Sequence, residues 1–240
     1  MSARREASPV STFFFWTLLH ARRSLTTKLV VVACLIPALL WLNGDRFSVT
    51  SLNGVAEGLV TGLLPLMALL YGSGVIREEV EQQTLTYSLI RPLPRQLLYA
   101  SRLLAAALPL AASVIPGILV ISVLSDNRMS WVSLSAAATL GAFAYVALFA
   151  LVGQFARRPL GVGLIFMVWE SGASKVPGIF GEMTLTRHVG TFAGIPQDII
   201  MSSGEVGNPW LALAALIVIT GALIAIGAEV TARRGFTLPR

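Results

Sequence analysis

Charge is scarce in this chain. Only 12% of its 240 residues are Asp, Glu, Lys or Arg, against roughly a quarter in a soluble domain, so an ordinary water-solvated surface is excluded. Histidine is confined to His20 and His188, and cysteine to Cys34. One thiol cannot close an intrachain disulfide, and so few soft ligands cannot assemble a zinc-type cluster. Cys34 lies inside an apolar run and reads as a small core residue. The only lysines are Lys28 and Lys175, and neither follows glycine. A phosphate-binding G-x-x-x-x-G-K-[ST] loop is therefore absent, which excludes an ATPase of that type within the chain. No catalytic residue and no metal site is expected.

Apolar residues are abundant instead. They make up 55% of the chain, with a mean hydropathy of +0.75. Most of the apolar runs are close to the length that crosses a bilayer, about 20 residues each. They fall at about 29–43, 56–76, 103–124, 131–155, 160–173 and 210–228. The expected fold is all-α and integral to the membrane, one transmembrane domain of six helices over residues 1–240, with no room for a separate soluble domain. The runs at 29–43 and 160–173 are short, so flanking polar residues must complete them. Pro37, Pro65, Pro109 and Pro116 are expected to kink their helices. No small-residue cleavage site follows the first run, so it is expected to be retained rather than removed as a signal peptide.

The net charge of +6 alternates with the apolar runs instead of forming one basic face, so a nucleic-acid partner is not expected. Its distribution sets an orientation. Fourteen cations (Arg4, Arg5, Arg22, Arg23, Lys28, Arg77, Arg91, Arg95, Arg102, Arg157, Arg158, Arg233, Arg234 and Arg240) fall on one side, and Arg46, Arg128, Lys175 and Arg187 on the other. By the positive-inside rule both termini are cytoplasmic, as an even number of spans requires. Residues 10–27 combine Phe13, Phe14, Phe15 and Trp16 with His20, Arg22 and Arg23, the pattern of an amphipathic helix lying in the interface. Residues 174–209 hold apolar pieces broken by Gly and Pro and are expected to form short interfacial or re-entrant helices on the outer side.

The connection at 77–102 carries Glu78, Glu79 and Glu81, four arginines and a Pro92-Leu93-Pro94 break. Leu85, Leu89 and Ile90 would give a helix there one apolar edge suited to a soluble partner. A solvated loop closed by positive-inside arginines would have the same composition. Its pattern, with Glu79, Thr84, Leu85, Arg91, Pro92, Arg95 and Arg102, resembles that of permease subunits of the second export type of ATP-binding cassette (ABC) transporters. Gln83 stands where that family commonly has glycine, and Arg102 where it commonly has lysine. Trp169-Glu170, the six spans, the interfacial helix and the outer segment are also similar to that family. The resemblance implies that residues 79–90 form a coupling helix docked on a separate ATP-binding subunit. Glu78, Glu79, Glu81, Thr84, Leu85, Arg91, Pro92 and Arg95 are then the partner-coupling residues. It further implies ATP and Mg in that partner with no cofactor in this chain, a second permease copy (identical or related), and a place in the bacterial inner membrane.

Outside that loop, Gly54, Gly58 and Gly62 form overlapping G-x-x-x-G steps that permit close helix approach, within the chain or across a dimer. Glu170 is an acid in or near the membrane, where a charge is expensive. It is a translocation or gate candidate, with a structural hydrogen bond at the outer surface as the alternative. Glu57 and Glu229 lie near span ends, where interfacial exposure accounts for them. Two enzyme-like patterns are incomplete. Glu78-Glu79 lacks the arginine and companion histidines of an intramembrane prenyl-protein protease, and Ser73, between Gly72 and Gly74, has no base in any span. A polytopic membrane enzyme using Glu170 and a scaffold recruiting a soluble protein remain the alternative functions.

Overall fold

The computed structural model describes residues 57–74, 95–124, 131–156, 158–176, 178–195 and 207–233. Among them all regular structure is helical. The helices are α1 (Gly58–Gly74), α2 (Arg95–Leu124), α3 (Trp131–Phe155), α4 (Pro159–Ala173), α5 (Ile179–Glu182), α6 (Leu185–Ala193) and α7 (Pro209–Arg233). Three of them, α2, α3 and α7, are long and apolar enough to cross a membrane, and α1 and α4 are shorter apolar helices. The expected spans at 131–155 and 160–173 coincide with α3 and α4 to within a residue, and α7 continues past 228 to Arg233. Residues 10–27 and 29–43 lie outside the described residues.

One boundary is corrected. The run at 103–124 was expected to follow a loop ending at Arg102, yet α2 begins at Arg95. Tyr99, Ser101 and Arg102 are all buried, so this polar stretch is the first part of a core helix rather than connecting chain. Helix α2 runs through Pro109 and Pro116 without a break in its helical assignment. In α1 the effect of proline is local. Residues Gly58–Leu63 form a π-helix in which the Leu64 N–H reaches back to the Leu59 carbonyl. Pro65 follows, with no N–H to offer and a ring that crowds the carbonyl four residues back. A widened turn just before it relieves that crowding.

Helix α3 is the axis of the bundle, packed against α1, α2, α4, α6 and α7. Its buried alanines, Ala137, Ala138, Ala142, Ala144, Ala147 and Ala150, let neighbouring backbones approach closely, the packing mode of helices that gain nothing from water exclusion. Helix α1 uses this most. A Cβ at Gly72 would lie 2.9 Å from the Val146 carbonyl oxygen, and one at Gly153 2.9 Å from that of Ser73. Across the bundle Gly227 of α7 receives the Tyr99 ring. Gln154 Nε2 donates to Thr231 Oγ1 at 3.2 Å and to the Gly227 carbonyl at 3.4 Å.

The outer helices are loosely held. In α4 the buried residues Pro159, Gly163 and Glu170 lie at spacings of four and seven and so share one face. That face is narrow. Leu160, Val162, Leu164, Ile165, Val168 and Trp169 are exposed around it. Only 22% of the spanning window of α7 is buried, against 56% for α2 and for α3.

Candidate functional site

Glu170 is 2% exposed, near the end of a helix that is otherwise apolar and mostly uncovered. Gly163, two turns earlier on the same face, accepts the Leu69 side chain of α1. This close contact seats α4 against the bundle and turns the glutamate inward. Its carboxylate meets the start of α6. Thr184, the N-cap residue, is extended and makes no side-chain cap bond. Its hydroxyl instead donates to the Gly181 carbonyl at 2.7 Å. The first amides of α6 are thereby left without a local acceptor.

Glu170 supplies it from another helix. The Thr186 N–H donates to Oε1 at 3.0 Å, and the Leu185 amide also donates to the carboxylate. The Tyr145 hydroxyl, from the fully buried middle of α3, donates to Oε1 at 3.4 Å and lies 2.8 Å from Thr186 Oγ1. With the tyrosine donating to the carboxylate, the threonine hydroxyl donates to the tyrosine oxygen. Phe149 stacks on the Tyr145 ring at 6.3 Å. An anion at a helix N-terminus is favoured both by the exposed amides and by the helix dipole. Donors from two helices converge on one carboxylate, which ties α4 to α3 and α6.

The apolar face of α6 completes the junction. Leu185, Val189 and Ala193 are buried, as is Ile195 just beyond. A Cβ at Gly141 of α3 would lie 3.3 Å from both Val189 methyls and 3.0 Å from Leu64 of α1. Glycine at 141 is what lets α6 settle onto α3. On its other side α6 holds α5: His188 Nε2–H donates to the Glu182 carbonyl at 2.7 Å, and the Arg187 guanidinium packs under Gly181.

The other sequence candidates fare differently. Glu78, Glu79, Glu81, Thr84, Leu85, Arg91, Pro92 and Gly54 lie outside the described residues, and Arg95 opens α2. Gly58 and Gly62 have no described atom within 4 Å of a Cβ position, so among the described residues they serve no internal packing. Ser73 is buried against Gly153, and Val189 sits against Gly141. These two glycines are separated by about 18 Å along α3 at 1.5 Å per residue, so His188 on α6 cannot act as base for Ser73. Among the described residues no three of His, Cys, Asp and Glu gather as a metal site.

The chain matches no protein-family model and no curated protein. Tyr145 and Thr186 were not singled out by sequence. Tyr145 had a usable signal, a polar-tipped aromatic in the middle of an apolar run, where a hydroxyl must find a partner. Thr186 had none, because its significance lies in an amide that any residue carries.

Proposed function

We propose that this chain is the membrane-spanning permease subunit of an ATP-driven ABC exporter, coupled to a separate ATP-binding subunit and working with a second permease copy in the bacterial inner membrane. The observation that carries the reading is the cytoplasmic pattern Glu79, Thr84, Leu85, Arg91, Pro92 and Arg95 in a chain rich in membrane-length apolar helices and without a phosphate-binding loop. In this reading ATP-driven closure of the partner pushes the segment at 79–90 and shifts the helices between two states, one of which binds ATP more tightly. In this reading the α6 end of the bundle, beside Lys175 and Arg187, faces outward, on the side with the fewer cations.

The test is purification of the tagged chain in mild detergent, with identification of co-purifying proteins and an ATPase assay. A subunit bearing a P-loop should be recovered, and should be lost when 79–90 is scrambled. Glu79→Gln and Arg91→Ala should leave insertion intact and uncouple ATP hydrolysis from efflux. Full coupling in both variants would remove the loop from this role. A folded chain with enzymatic turnover of its own and no nucleotide-binding partner would favour the enzyme alternative.

A further inference from the structure

Three features of α5 and α6 point to a moving part. The first is how they are bounded. Gly178, at the start of α5, has φ +89°, and Gly194, at the end of α6, has φ +76°. Both are conformations that residues with a side chain rarely adopt. Residues that absorb large dihedral changes sit in such places, at the ends of elements.

The second feature is the way the unit is held. Helix α5 is a single turn whose Ile179 and Phe180, with Met183 just beyond it, are 75%, 66% and 69% exposed. Its ties run to α6, through Gly181 with Arg187 and through Glu182 with His188, and to the Val176 carbonyl just before the hinge. At nine residues, α6 is shorter than the ~12–15 residues at which an isolated helix becomes even marginal. It persists by docking on α3 and α7. The third is that its N-terminus is capped from outside the unit by Glu170, since the hydroxyl of its own N-cap threonine is committed to Gly181.

We propose that residues 178–194 form a glycine-hinged cover over the stretch of α3 that holds Gly141 and Tyr145, and that the Glu170 carboxylate is the latch that keeps the cover closed. Glu170 is a positioning residue in this arrangement. It ties α4, α3 and α6 at one point, so a shift of α4 relative to α3 withdraws the acceptor and leaves α6 held only by its packing, chiefly on α3 and α7. Once undocked, α6 loses both its cap and its packing. The cover therefore opens as a unit rather than fraying from one end. This inference does not depend on the transport reading; if that reading holds, the cover is the outer gate.

The test is hydrogen exchange followed by mass spectrometry on the full chain in lipid nanodiscs, comparing wild type with Glu170→Ala, Glu170→Gln and Tyr145→Phe. Loss of a helix cap should speed exchange of the α6 amides roughly tenfold in Glu170→Ala, with α3 and α7 as protected as before. Glu170→Gln keeps an acceptor and should give a smaller increase, as should Tyr145→Phe. If Glu170→Ala is not recovered folded, the Gln and Phe variants decide. Wild-type exchange across α6 in the folded variants would overturn the proposal. So would an equal rise in α3 and α7, which would make Glu170 a general core residue. No ATP, substrate or partner subunit enters the measurement, so its failure is distinguishable from failure of the exporter reading.

Discussion

At Gly227 the backbone of α7 lies against the Tyr99 ring, and no side chain fits between them. Gly227→Val should destabilise the bundle by about 1–3 kcal/mol through overpacking, read as a lower midpoint of thermal unfolding in detergent. Tyr99→Ala in the same chain should restore part of the loss, because the two positions share one space. Gly221→Val on the same helix meets nothing described within 4 Å and should leave the midpoint unchanged. Equal midpoints for all three proteins would refute the close approach. At this scale sequence identified some sites and not their partners. An acid in an apolar run is conspicuous, so Glu170 could be singled out. Tyr145 and Thr186, 25 and 16 positions away, are joined to it only by the packing of three helices. Gly58 and Gly62 carry a packing motif, yet the glycines that are crowded by neighbours include Gly72, Gly141, Gly153, Gly163, Gly181 and Gly227, which are set by where chain segments meet rather than by spacing.

Among the elements, the ends of α3 and α4 could be read from composition because the apolar runs stop where the helices stop. The start of α2 could not. Gln96, Ser101 and Arg102 look like loop residues, but each retains helical backbone bonds, and Ser101 spends its hydroxyl on the Leu98 carbonyl. For α5 and α6 hydrophobicity pointed to the segment but shifted the ends, since Gly178, Thr184 and Gly194 set them through backbone geometry. Gly194→Ala forces a side chain into the left-handed region, at about 1–2 kcal/mol. Its effect should be local: faster amide exchange at the end of α6, with α3 unchanged. Slower exchange there would mean that the chain can reverse at 194 without positive φ.

For the whole molecule, the distribution of Lys and Arg makes a directional prediction. Reporter fusions that are active only outside the cytoplasm should be silent after residue 90 and after residue 233, and active after residue 200. Activity at 90 or 233 would invert the proposed arrangement and place the Glu170 cover on the cytoplasmic side. The same molecule divides by how much of each helix touches protein. Helix α3 is surrounded on most sides and depends on alanine and glycine for its contacts, whereas α7 presents Trp210, Leu211, Ile217, Val218 and Ile226 outward. At the glycines and buried alanines of α3 a larger side chain meets a neighbouring helix. On the outward face of α7 one apolar residue replaces another with little consequence. As copies of this gene diverge, changes should collect on α7 and be rare on α3, so the helix that is easiest to recognise as membrane-spanning would preserve the least of its ancestry.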